Sequence, residues 1–189
     1  MIDRGFFDRP AAHVAADLLG MIVTVESGAG LAGGIVVETE AYDGTDPASH
    51  SVNGPTIRNA AMFGPPGQAY VYRSYGIHWC LNFVCEAEGF GAAVLIRAIE
   101  PTIGLDLMAG RRGLAAIQKL ASGPGRLCQA LSIEGGHDGL PLDAPPFRLE
   151  RGAAPPLVVT GPRIGITKGM VTPWRFGWAG SRFLSRRFA

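Results

Sequence analysis

The apolar positions of this chain follow two periods. Ala11, Val14, Ala15 and Leu18 recur at helical spacing, with Asp8 as a candidate cap, Pro10 in the first turn and Gly20 as a stop. His13 falls on the surface side of that helix. From Met21 onward the pattern becomes that of strands. Met21–Val25 is one, Ser27-Gly28-Ala29-Gly30 a turn, and Gly34–Tyr42 the next, led by β-branched residues and ended by Asp43-Gly44. The connection is too short for a crossover helix, so the two strands pair antiparallel. Alternation puts Val36, Glu38, Glu40 and Tyr42 on one face. Two carboxylates about 7 Å apart on one face are costly inside a fold unless something uses them. The alternative is an exposed edge with both glutamates in water.

Further along, Asp43–Asn59 is a polar loop carrying His50, Arg58 and Asn59, and residues 58–63 form a short helix. Gln68–Arg73 reads as a strand with Tyr70 and Tyr72 on one face. Ser74-Tyr75-Gly76 turns the chain, and Ile77–Val84 returns with Ile77, Trp79, Leu81 and Phe83 facing one way. This is a protruding β-hairpin with a tyrosine in its turn, where a large aromatic is unexpected. Ala92–Ile99 is an apolar strand with Arg97 set inside it. Such an arginine is either on an edge or buried with an acidic partner. Glu40 is the candidate partner; a structural ion pair with Glu38 or Glu100 is the alternative. Helices are predicted over Ile103–Arg112 and within Leu120–Ile133, the latter with Ser122 near its cap and Pro124 in its first turn. Gly135–Pro156 reads as surface loop, and Leu157–Val159 and Arg163–Ile166 as short strands. Trp174, Phe176 and Trp178 are expected to pack beneath the end of the chain. No internal repeat or boundary interrupts residues 1–189. The fold predicted is a single α+β domain, a curved and mainly antiparallel sheet with helices around it.

At 189 residues the chain is long enough to bury roughly 70% of its unfolded surface. No apolar run reaches the ~18 residues of a membrane span and no leader is recognisable, so a soluble cytoplasmic protein of bacterial type is expected. Cys80, Cys85 and Cys128 lie in no metal-binding spacing and read as reduced packing residues, with no metal site. The net charge of +1 hides an asymmetry. Residues 151–189 hold seven basic side chains and no acidic one, whereas residues 1–150 hold ten basic and sixteen acidic. Fifteen of the seventeen basic residues are arginine, which suits planar phosphate pairing. A local basic patch is what polyanion contact requires, although a solvated tail has the same composition.

Acid or base, aromatics, a histidine and one aromatic held out on a hairpin tip together suit a flat substrate. In order and spacing, Glu38-Thr39-Glu40-Ala41-Tyr42, Ser49-His50, Arg58-Asn59, Met62-Phe63, Tyr70-Val71-Tyr72, Tyr75-Gly76 and Asn82 resemble the alkyladenine (3-methyladenine) DNA glycosylase family. The resemblance continues through Leu95–Pro101, Ser122–Leu131, Arg163-Ile164-Gly165 and Arg175-Phe176, and begins at Phe6-Phe7-Asp8. Each motif is weak alone; their ordered series is specific and covers nearly the whole chain.

The resemblance implies excision of damaged purines from double-stranded DNA by a monomer without a cofactor. Tyr75 would be the wedge that replaces the flipped base. Tyr42 with His50 on one side and Tyr72 on the other would sandwich that base. Asn82 would form the pocket floor, unless it only bonds backbone within the hairpin. Glu40 would be the general base on a water, Arg97 would orient that water and keep Glu40 ionised, and Glu38 would be structural. Arg58, Arg126, Arg182, Arg186 and Arg187 are candidate DNA contacts. The helix start near Arg126 is too common a motif to be diagnostic. A lyase would need a poised amine; Lys119 and Lys168 are the lysines present and neither lies in a pocket motif. The loop Val52–Ile57 departs from the family, whose members commonly carry basic residues there, which places its DNA contacts in doubt. Two other classes fit parts of the pattern. A sugar hydrolase could use Glu38 and Glu40 as its pair, and a non-catalytic nucleic-acid-binding module could use the aromatics and the basic end.

Overall fold

The computed structural model of the protein describes residues 2–155 and 157–188. Its framework is one sheet of eight strands: β1 (Ile22–Ser27), β2 (Gly30–Tyr42), β3 (Ala69–Ser74), β4 (His78–Cys85), β5 (Ala92–Ile103), β6 (Phe147–Glu150), β7 (Val158–Gly161) and β8 (Arg175–Trp178). The order is β3-β4-β5-β2-β1-β6, with β8 also on β2 and β7 on β8; each pairing is antiparallel. The α+β architecture and the hairpin of β3 and β4 are those the sequence predicts.

The thirteen-residue β2 holds the sheet together by taking three partners. Its first half pairs with β1, its second with β8, and β5 runs along its other edge. Gly33 and Gly34 allow this crowding, because a Cβ at either would collide with the carbonyl of Val23 or of Glu100. At the change of partner the register skips a residue on each strand: Val36 faces Ile99 and Glu38 faces Ala98, then Thr39 faces Ile96. Val37 on β2 and Arg97 on β5 are therefore bulge residues.

The bulge corrects one expectation. A single extra residue reverses the alternation of every side chain beyond it. Val36 belongs to the main core together with Ala32 and Ala41, and Thr39 Oγ1 donates to the Ala15 carbonyl at 2.8 Å. Val36 thus faces away from Glu38, Glu40 and Tyr42, which turn to the other side of the sheet.

Four helices cover the core face: α1 (Ala11–Asp17), α2 (Leu105–Arg112), α3 (Ile117–Leu120) and α4 (Pro124–Leu131). Helix α1 starts differently from expectation. Pro10 itself is the N-cap, and Glu86 Oε1, from beyond β4, accepts the Ala11 N–H at 3.0 Å in place of Asp8. Strand β6 lies in the stretch read as loop, since Phe147 and Leu149 alternate inward for only four residues between prolines. Arg163–Ile166 is not a strand; the next strand after β7 is β8, on an edge that β2 supplies. Leu18, Phe83, Ile96, Ile99 and Leu127 fill the main core, each contributing about 1.5–3 kcal/mol on burial. All three cysteines are free and buried. Among the described residues no helix is long and apolar enough to cross a membrane.

Candidate active site

Glu38 and Glu40 are both 0% exposed, so the edge-in-water alternative does not hold. Burial of carboxylates demands cationic or hydrogen-bonding partners, and β5 brings Arg97 to both. Arg97 Nη1 lies 3.2 Å from Glu40 Oε2, and its Nε 3.2 Å from Glu38 Oε1. The expected partner and one of its structural alternatives therefore share a single guanidinium. Glu40 also accepts from the Tyr42 hydroxyl at 2.8 Å and from the Ile164 N–H at 2.7 Å. Three of its roughly four lone-pair sites are thus occupied. Burial pushes the Glu40 carboxyl above the ordinary range, against the pull of Arg97, the Ile164 N–H and Tyr42. Burial, with Glu40 beside it, also raises Tyr42, which keeps that phenol a donor.

Glu38 has a different set of contacts. Its Oε1 accepts from Arg175 Nε at 2.8 Å and Ser185 Oγ at 2.8 Å, and its Oε2 from the Ser185 N–H at 2.5 Å. The end of the chain is pinned here, with Arg175 also donating to the Arg186 carbonyl and lying over the Phe188 ring.

A cleft of about 640 Å³ opens beside Glu40. Tyr42, Arg97, Tyr72, His50 and Asn82 line it, and Glu40 sits directly behind the wall. Tyr72 is stacked on the buried Tyr70, with ring centroids 5.3 Å apart and planes at 24°. His50 meets Tyr72 edge-on at 4.5 Å, and its Nδ1 is 2.9 Å from the Tyr70 hydroxyl. His50 therefore stands with Tyr72, not with Tyr42 as expected; its loop is clamped by Asn59, whose Nδ2 donates to the His50 carbonyl. Burial, and then Arg58, push the imidazole below its usual range, so it is neutral at pH 7. Asn82 does both things open to it: it lines the cleft and its Nδ2 donates to the Tyr70 carbonyl at 3.0 Å.

Tyr42 is backed by Arg163, a residue to which the sequence motifs assign no role. The guanidinium lies 4.6 Å from the Tyr42 ring centroid and 5.5 Å from that of Trp174. It forms a two-pronged pair with Asp46 and donates to the Ala41 carbonyl at 2.8 Å. One anchor thus fixes the Tyr42 ring and, through the next residue, the Ile164 N–H on Glu40. Arg163 and Asp46 are 117 residues apart, so no local pattern joins them.

Tyr75 and Arg58 stand at the mouth. Tyr75 is 86% exposed, and with φ of 50° beside Gly76 at 69° it adopts the type I′ turn. A tyrosine held there costs about 1–2 kcal/mol. Arg58 donates to the Arg73 carbonyl at 2.8 Å and lies 5.7 Å from the Tyr72 ring centroid. Arg126, Arg182, Arg186 and Arg187 are exposed but outside the cleft lining, and Arg126 turns back on the Ser122 carbonyl. Lys168, by contrast, does line the cleft, although it lies in no pocket motif.

The geometry is that of a flat aromatic slot opening beside a buried carboxylate, with a strained aromatic at its rim. The sequence profile of methylpurine-DNA glycosylase (MPG) matches residues 5–182. Among similar proteins, one from Rhodopseudomonas palustris (strain HaA2) is 60% identical over 98% of this chain and 90% of its own length. One from Nitrosospira multiformis is 58% identical (96% and 92%), and one from Agrobacterium fabrum 54% (99% and 93%). All three provisionally bear the name 3-methyladenine DNA glycosylase. Slot, carboxylate and near-full-length kinship agree: the chain belongs to the methylpurine-DNA glycosylase family, hydrolases of N-glycosyl bonds in base-excision DNA repair.

Proposed function

We propose that this glycosylase removes alkylated and deaminated purines (the 3-methyladenine, 7-methylguanine, hypoxanthine and ethenoadenine class) from duplex DNA by flipping the nucleotide into the cleft. The observation that carries this reading is the slot between Tyr42 and the His50–Tyr72 pair, with Glu40 at its back. A base inside the stack hides its glycosidic carbon, so it must leave the helix before water can attack. A purine methylated at N3 or N7 is cationic, and between aromatic faces it gains about 0.5–2 kcal/mol that a normal base does not. The neutral His50 does not oppose that charge.

The remaining lone pair of Glu40 would take a proton from the water attacking the sugar C1′. Its charge would also stabilise the oxocarbenium-like transition state. Arg97 fixes the carboxylate and presents N–H groups to the cleft. Glu38 is fully buried and already accepts from Arg97, Arg175, the Ser185 hydroxyl and the Ser185 N–H, which disfavours its use as the second carboxylate of a sugar-hydrolase pair.

The test is a duplex holding one hypoxanthine. Base release with the strand intact until alkali is added is the expected result. A borohydride-trapped covalent adduct, lost in Lys168→Ala, would overturn the monofunctional part. No hypoxanthine or methylpurine release at all would overturn the whole. The wedge has its own expectation: Tyr75→Ala weakens lesion-duplex binding by about 1–3 kcal/mol and largely spares release from unpaired DNA. An equal loss on both substrates would remove Tyr75 from that role.

A further inference from the structure

Glu40 is one member of a buried set of four charges. Glu38, Glu40, Arg97 and Arg175 are each less than a tenth exposed. Arg97 reaches both carboxylates, and Arg175 closes on Glu38. Two carboxylates and two guanidiniums balance only while Glu40 is ionised. Away from water, such a balance is the main control over which carboxyl keeps its proton.

Glu38 does not need Arg97 for its own satisfaction. Arg175 and Ser185 already supply one donor to Oε2 and two to Oε1. What the additional contact does is hold the Arg97 Nε on one side, which leaves Nη1 directed at Glu40. Ser185 Oγ touches the same guanidinium, 3.5 Å from Nη2. Strand β8 places Arg175 opposite Glu40 in register while its side chain goes to Glu38.

On the reading of Glu40 as the base, we propose that Glu38 and Arg175 are positioning residues for the reaction: acting through Arg97, they keep the guanidinium aimed at Glu40 and set, with opposite signs, how readily Glu40 gives up its proton, and they anchor that arrangement on the C-terminal segment. The other groups around Glu40 are compatible with this. The Tyr42 hydroxyl and Ile164 N–H donate to it; Tyr72 on β3 and Cys80 on β4 face it across the cleft as neutral groups; Arg163 is engaged by Asp46.

The prediction is a pair of shifts of opposite sign in the pH profile of single-turnover release from a hypoxanthine duplex. Glu38→Gln leaves the set with surplus positive charge, so Glu40 holds its proton less tightly and the acid limb moves down by about one pH unit. Arg175→Gln leaves surplus negative charge, and the limb moves up by about as much. Circular dichroism and melting establish that each variant is folded. A purely structural role changes melting and leaves both limbs in place; that outcome, or shifts of the same sign, overturns the proposal. Should either variant not fold, Ser185→Ala replaces it. Losing one donor, Glu38 then draws Arg97 from Glu40, and the limb rises by a few tenths of a unit; an unmoved limb counts against the proposal. Failure of the underlying reading looks different: Glu40→Gln would still release the base.

Discussion

Replacing Glu40 by glutamine is expected to slow base release by about 10²–10⁴-fold while lesion-duplex affinity stays within a few-fold. The slot, the wedge and the basic surface remain, and the amide still accepts hydrogen bonds from Tyr42 or Ile164. What disappears is the proposed proton acceptor. The wild-type pH profile should show the same group. Burial raises the Glu40 carboxyl, so activity should fall with decreasing pH at values above the ~4.3 of a free glutamate. Above its raised pKa the group is ionised and competent; below it the group is protonated and inert as a base. Glu38→Gln should keep turnover on the plateau and lower the melting temperature, because the pinned chain end is loosened. Single-turnover rates with a binding isotherm separate these cases. Should a folded Glu38→Gln be dead and Glu40→Gln active, the base is Glu38.

The second large effect concerns guanine. Asn82 lies on β4 opposite Tyr70, and its hydrogen bond to the Tyr70 carbonyl keeps the amide from swinging aside. Adenine and hypoxanthine lack a 2-amino group; guanine would press that group against a pinned side chain in the cleft. A buried polar mismatch of this kind rejects by far more than a missing methylene does. Asn82→Ala is therefore expected to release guanine slowly, most readily from mismatches, with only a modest loss on hypoxanthine. The substitution also removes one hydrogen bond to the Tyr70 carbonyl, so a stability loss of about 0.5–1.5 kcal/mol should accompany it. Release of both bases from otherwise identical duplexes is the measurement. Guanine release at background, from a variant active on hypoxanthine, would remove Asn82 from the selectivity mechanism.

What could be read in the sequence was whatever sits within a few residues of itself. Glu38, Glu40 and Tyr42 lie on one strand at a spacing of two, and their common face was legible from alternation. Arg97 announced a buried partner because an arginine in an apolar strand has few other outcomes. Tyr75 announced itself by occupying a turn position that favours glycine. The misplaced face of Val36 has a specific cause: a bulge carries no composition signal, yet one skipped residue inverts the phase. His50 went to the wrong wall because a loop, and not a strand, decides where its ring points. Arg163 and Asp46 remained mute for want of any local pattern, and β6 and β8 are too short to show a period; their partners create them.

The contacts that complete the centre span most of the chain: 124 residues from Ile164 to Glu40, 137 from Arg175 to Glu38 and 147 from Ser185 to Glu38. During synthesis at about 5–20 residues per second, roughly 7–30 s separate the making of Glu38 from that of Ser185. Through that interval β2 carries two carboxylates that have Arg97 to share, while Ile164, Arg175 and Ser185 are still to be translated. A nascent chain with β1 to β5 in place therefore holds Glu40, Arg97 and the cleft aromatics but lacks the Ile164 N–H, Arg175 and Ser185 that complete the set. Completion of the buried charge set waits for the segment that carries Ser185.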